Sequence, residues 1–194
     1  MDLESHTVDL FAHTRIVIGM VIGLGITRTL LTFANIIQTP KTHTRSLLHL
    51  LWLGAMLVEL ALFWYIHIEL VLLPHWNFGY FAFYVGYAIV LYMQTALLTS
   101  DRAPDHGGYQ EFFIERRHWF FGFFIASQVF DILDTIFLAP KEQLEPADLI
   151  VGGVFIVLGL AGWISKKRRV HYTIITLHML GLAIVSFFYA IETI

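Results

Sequence analysis

The sequence predicts an all-α, polytopic membrane protein: one transmembrane domain over residues 1–194, built as a six-transmembrane-helix bundle with both termini non-cytoplasmic. Three observations predict it. The 194 residues are 57% hydrophobic and only 14% charged, too few polar side chains to cover the surface of a soluble domain. The apolar residues fall in blocks of about 18–26, the length that crosses a hydrocarbon layer roughly 30 Å thick. Basic residues gather in alternate connections, as the positive-inside rule requires.

The spans follow in order. The first covers about 9–38 and is most apolar from Ile16 to Ile26. The second covers about 46–73 and runs into a Pro74-His75-Trp76-Asn77 turn. The third covers about 78–99 and the fourth about 117–138. The fifth covers about 147–164 and the sixth about 171–191. Spans of this length read as helices, since barrel strands need only about 9–11 residues of alternating polarity. The connections leave no room for a soluble domain. The longest carries Pro104 and Gly107-Gly108 and reads as a loop.

Orientation comes from Lys and Arg. Lys41 and Arg45 follow the first span, Arg102, Arg116 and Arg117 follow the third, and Lys166-Lys167-Arg168-Arg169 follow the fifth. The connection after the fourth span offers only Lys141, among Glu142, Glu145 and Asp148. The three basic loops stay in the cytoplasm, which puts both chain ends outside. The acidic start, with no Lys or Arg before Arg15, argues against a cleavable signal peptide. The chain has no Cys, which excludes disulfides, thiolate metal sites and iron–sulfur clusters.

Function is sought among residues that do not belong in lipid. Placing an ionisable group in a bilayer costs about 2.5–3.5 kcal/mol on insertion scales, so such groups turn inward and mark sites. At about 100° per residue, His49, Trp52, Met56, Glu59, Phe63 and His67 share one face of the second helix. Tyr80, Tyr84, Tyr87 and Gln94 share a face of the third. The fourth groups Phe124, Gln128, Asp131 and Thr135, with Asp134 to one side. The sixth carries His171, His178 and Tyr189. Gly152 and Gly159 give the fifth helix a smooth face for close packing.

Depth sorts these groups into two layers. Arg15, His67, Asp131, Asp134, Tyr80 and Tyr84 belong to the outer half, and Arg28, His49, Gln94, His118 and His178 to the inner half. Glu59 lies between. Each has a plainer structural reading. Asp131 pairs with Arg15 and ties two helices together; Glu59 is a protonated carboxyl hydrogen-bonded to a carbonyl; Gly19-x-x-x-Gly23 is a packing motif. Trp64, Trp76, Trp119 and Trp163 are interfacial anchors.

The run Ile22-Gly23-Leu24-Gly25-Ile26-Thr27-Arg28-Thr29-Leu30-Leu31, ending in Asn35-Ile36-Ile37-Gln38, resembles the first helix of a group of uncharacterised bacterial membrane proteins. His49-x-x-Trp52 and Arg116-Arg117-His118-Trp119-Phe120-Phe121 resemble later segments of that group. The resemblance implies a six-helix bacterial inner-membrane protein and carries no activity.

Three functions compete. The leading expectation is a channel or transporter for an ion, proton or small polar solute. Its pathway residues are Glu59, His49, His67, Asp131, Gln128, Gln94 and His178, with Arg15 and Asp131 as a structural ion pair. No Pro interrupts a span, which favours a channel over a carrier with broken helices. The alternative is a redox protein holding haem b or a metal ion on His49 and His178, although no cofactor is required by the sequence. His49 and His67 cannot serve one pair of stacked haems on the second helix, being about 27 Å apart along it. The third is a non-catalytic scaffold or sensor acting through a membrane partner subunit. An enzyme is disfavoured, because Ser127 and Ser186 lack a nucleophile motif and no His-Glu-x-x-His run exists. The expected partners are the lipid bilayer and further copies in a homo-oligomer, with no nucleic acid.

Overall fold

The computed structural model describes residues 3–38, 46–67, 76–99, 109–137 and 146–192; side chains are described from Phe11 onward, except at 137, 147, 148 and 192. The described residues form six helices: α1 (Leu3–Gln38), α2 (Leu47–Ile66), α3 (Phe78–Leu98), α4 (Tyr109–Phe137), α5 (Pro146–Ile164) and α6 (Arg168–Glu192). No strand occurs among the described residues. Five of the helices, all but α5, are long and apolar enough to cross a membrane; the described apolar part of α5, Leu149–Ile164, is shorter. This is the build of a multi-pass membrane protein. Expectations resting on Lys41, Arg45, Glu69, Pro74, His75, Arg102, Pro104, Gly107, Gly108, Lys141, Glu142 and Glu145, and on the side chains of Asp148 and Glu192, lie outside the described residues.

Local chemistry sets several helix ends. Ser46 caps α2 by accepting from the His49 backbone N–H at 3.3 Å, and Asn77 caps α3 by accepting from that of Tyr80 at 3.2 Å. Both relieve amide groups that the first turn leaves without partners. Pro146 opens α5, where its missing N–H costs nothing.

α4 and α1 begin well before hydropathy places them. α4 starts at Tyr109 and not near 117, because its first turns are amphipathic: Tyr109, Phe112 and Phe113 are buried while Glu111, Glu115 and Arg116 are exposed. A mean over apolar residues misses such a stretch, and a 3.6-residue period finds it. α1 likewise extends back to Leu3. α2 ends at Ile66, with His67 as its C-cap; residues 68–73 of the expected second span are outside the described set.

The helices alternate in direction where contacts define it. A Cβ on Gly19 would lie 2.9 Å from Trp64, and one on Gly25 would lie 3.0 Å from Leu60, which runs α1 and α2 antiparallel. Gly23 has nothing within 4 Å, so only half of the Gly19-x-x-x-Gly23 pair is a close contact. The α4–α5 seam is tighter. Added Cβ atoms would come within 2.7 Å of Ile132 at Gly152, 2.7 Å of Ile125 at Gly159 and 2.5 Å of Phe121 at Gly162. The smooth face expected on α5 is therefore present and lies against α4. In lipid such seams are held by van der Waals packing more than by expulsion of water.

α2 is the hub, packing on α1, α3, α4 and α6. Its inward face joins two apolar clusters. One gathers Trp52, Met56, Phe113, Phe120, Phe121, Phe124, Ile174 and Ile175. The other gathers Phe11, Ile18, Ile22, Leu60, Phe63, Trp76, Tyr84, Tyr87 and Leu91. At the second cluster's end, Phe11 of α1 meets Trp76 at 5.3 Å and Tyr189 of α6 meets Tyr65 at 6.2 Å. The start of α1 and the end of α6 thus share one end of the bundle, and Arg116, Arg117 and Lys166–Arg169 occupy the other.

Candidate functional site

The α2 stripe read from the sequence is the inward face of α2. His49, Trp52, Met56 and Phe63 are buried, and the Glu59 and His67 side chains are only 12% and 11% exposed. Along this face the polar groups divide into a central pair, a cluster at the His67 end and a separate histidine at the basic end.

The central pair is Glu59 and His178. His178 on α6 reaches across to α2, and its Nε2 lies 3.2 Å from Glu59 Oε2. Three aromatic rings enclose the imidazole: Trp52 at 5.6 Å, Phe124 at 5.2 Å and Phe155 at 5.6 Å. A carboxyl and an imidazole in contact form one of the few side-chain pairs that share or pass a proton without a metal. Surrounding apolar rings keep water from competing for it.

The second cluster lies about two helical turns along α2 from Glu59. His67 Nδ1–H donates to Phe63 O at 2.7 Å, which turns Nε2 toward Asp134 Oδ2 at 3.9 Å. The other carboxylate oxygen, Oδ1, accepts the Tyr84 hydroxyl at 2.6 Å. His67 Nε2 is buried and has no hydrogen-bond partner; a proton on it would face the carboxylate. Between the two clusters stands Tyr87, packed on Phe63 at 4.9 Å and on His67 at 6.1 Å, with Glu59, Asp131 and Asp134 in electrostatic range of its hydroxyl.

A small cleft opens beside His67, lined by Phe11, Thr14, Arg15, Ile18, Trp64, His67 and Trp76, with room for about one water molecule. The Arg15 guanidinium lies 5.2 Å from the Trp64 ring centre. The ion pair expected between Arg15 and Asp131 does not appear among the ion pairs of the described residues; Arg15 is turned to Trp64 on α2, and Asp131 is exposed on α4.

The remaining residues sit apart. His49 Nε2 is 2.7 Å from Leu98 O, an N–H···O bond, and its ring stacks on Tyr109 at 4.3 Å. Gln94 is fully buried with neither amide atom hydrogen-bonded, and Gln128 is buried on α4. His49 therefore lies apart from Glu59 and Asp131, which both stand within electrostatic range of the Tyr87 hydroxyl. The two histidines proposed as axial ligands are each committed through Nε2, His49 to a backbone carbonyl and His178 to Glu59. Among the described residues no group of three or more His, Cys, Asp or Glu is placed to hold a metal ion.

The sequence places both Asp131 and Asp134 in the outer half and assigns the pathway to Asp131; the structure sets Asp134 against His67 and Tyr84. The outer half of α4 packs on α3, where Phe130 meets Phe83 at 5.1 Å and Tyr87 at 5.3 Å. Asp134, one turn beyond Phe130, shares that face, and Asp131 is rotated off it by about 100°. The signal was the i,i+4 pair Phe130–Asp134 opposite the Tyr84–Tyr87 stripe. Fold and site together define a class, a helical bundle with a membrane protein's composition and a buried carboxyl–imidazole pair at its hub. No family model matches the chain, and no curated protein or solved structure shows a significant match to it.

Proposed function

We propose that this protein moves protons, alone or coupled to a small polar solute, across a bacterial inner membrane through the inward face of α2. In this reading α5 completes a six-helix bundle: its 19 residues reach about 28 Å at 1.5 Å per residue. The basic end faces the cytoplasm and both termini face outside. The observation that carries the proposal is the Glu59–His178 contact of 3.2 Å on the central helix, since ionisable pairs at such depth are costly and mark relays and ion paths. His67, Asp134 and Tyr84 form the outer station, and Tyr87 stands between them and Glu59.

On the cytoplasmic side of Glu59 the way is filled by rings. Trp52 packs on Phe120 at 4.7 Å, Phe124 at 5.8 Å and Phe121 at 5.9 Å. This block supports a gated conduit or carrier in its outward-facing form over the open channel that unbroken helices suggest. Passage to the basic end then needs Trp52 and its partners to part.

The test is proton flux into proteoliposomes carrying an internal pH dye, driven by a potassium–valinomycin potential. Wild type should acidify faster than empty vesicles, and Glu59→Gln, close in shape but unable to ionise, should reduce the rate to theirs. Wild-type vesicles no faster than empty ones, with and without a panel of small solutes, would remove the proposal.

A further inference from the structure

We propose that His171 takes protons on from the Glu59–His178 pair to the basic end of the bundle, so that the path leaves along α6 and not through His49. The inference rests on the transport reading and adds the residue on the far side of the aromatic block. His171 and His178 are seven residues apart on α6, which puts them on one face about 10.5 Å apart along the axis. Rings of the block stand between them. Phe124 meets His178 at 5.2 Å, Phe121 meets Phe124 at 6.1 Å, and Phe121 stacks on His171 at 5.4 Å. His49 stacks instead on Tyr109. A histidine beside a basic run belongs among headgroups and water, yet His171 is fully buried.

The two ring nitrogens have different surroundings. Nε2 lies 2.9 Å from Ser165 O, and a carbonyl only accepts, so Nε2 carries the hydrogen. Ser165 is partly exposed and leads into the exposed Lys166 and Lys167. Nδ1 keeps its lone pair and is buried without a partner. A neutral imidazole held this way can bind a proton at Nδ1 and release the one on Nε2 to water at the Ser165 end, which leaves the other tautomer; a turn of the ring restores the first. The charged group facing it is Arg117 on α4, within electrostatic range. Arg117 is buried, donates to Ile114 O at 2.9 Å and has no ion pair among the described residues. Its charge repels an imidazolium, so a proton that reaches His171 is passed on and not stored. Once Trp52 and its partners part, about three waters at a hydrogen-bond spacing of about 2.8 Å cover the distance from His178.

The experiment compares His171→Gln with His171→Glu in the proton-flux vesicles, alongside their unfolding midpoints in detergent. Gln still offers an N–H toward Ser165 O and cannot be protonated; Glu lacks that donor when ionised and can carry a proton. A relay requires Gln to lower the rate at least tenfold and Glu to keep more of it than Gln does, even where Glu unfolds more easily. A histidine that only ties α6 to Ser165 requires the opposite order, with rates following the midpoints. His171→Asn takes the place of Gln should the Gln protein lose its helix content. Wild-type vesicles no faster than empty ones would remove the transport reading and this inference with it. A wild-type rate that His171→Gln leaves intact, or a Glu rate no higher than that of Gln, overturns the inference alone.

Discussion

Removing Glu59 and His178 singly and together tests whether they are one energetic unit. At 3.2 Å, two unit charges attract by roughly 5 kcal/mol at an effective dielectric of about 20. A neutral hydrogen bond in the same place contributes only about 0.5–1.5 kcal/mol net. The side chains are 12% and 6% exposed, so desolvation offsets much of the larger figure. Deleting one partner abandons the other among Trp52, Phe124 and Phe155, at a cost of about 3–5 kcal/mol if the survivor stays charged. Replacing both by leucine removes the polar groups altogether and is near neutral, as for other buried pairs exchanged for apolar residues. Glu59→Leu and His178→Leu should each destabilise strongly, the double variant should cost less than either single change, and the coupling energy should therefore exceed the larger single loss, about 3 kcal/mol or more. The assay is unfolding by sodium dodecyl sulfate in mixed micelles, followed by far-UV circular dichroism and by tryptophan emission; Trp52, 5.6 Å from His178, reports locally. Additivity of the two single losses within about 0.5 kcal/mol would refute the pairing.

Three further outcomes follow from particular contacts. Gly162→Ala would drive a Cβ to 2.5 Å from the Phe121 ring, which is fully buried, and should cost about 1–3 kcal/mol; Gly153→Ala, with nothing within 4 Å, should be neutral or gain about 0.5–1 kcal/mol from helix propensity, and equal melting points for the two would contradict the α4–α5 seam. Tyr84→Phe deletes the 2.6 Å bond to Asp134 and should lower stability by about 1.5–3 kcal/mol, as read by the same detergent unfolding; an unchanged midpoint would count against the bond. Ser46→Ala removes the cap on His49 N and should cost about 0.5–2 kcal/mol, with hydrogen exchange rising only in the first turn of α2.

The sequence showed the stripe on α2 because a 3.6-residue period places His49, Glu59 and His67 on one face whatever their partners are. Glycines 152 and 159 were legible for the same reason: small residues at helical spacing in an apolar span have little use except close packing. Partner choice was not legible. Depth alone matches His178 with His49, whereas the fold sets its Nε2 3.2 Å from Glu59 Oε2. The sequence assigns the pathway to Asp131 and not to Asp134 because α4 turns a different face to α3 in its outer half than it turns to α2 lower down. One helical wheel for a long helix cannot represent two neighbours. The amphipathic start of α4 escaped because hydropathy weighs how apolar a stretch is and not where its apolar residues point.

The arrangement along α2 has a consequence for how such a protein would have to work. Polar groups are spaced from His67 through Tyr87 to Glu59 and His178, and then stop at Trp52 and the phenylalanines of α4. His49 lies beyond that block, already bonded to Leu98 O, so it cannot take a proton from His178 directly. Any transfer toward the basic end requires Trp52, whose indole N–H is buried without a partner, to move. That unbonded N–H is a cost the resting packing carries, and a state in which it meets water or the freed Glu59 carboxylate would recover that cost. The ring that would block the proposed path therefore also has an energetic reason to leave it.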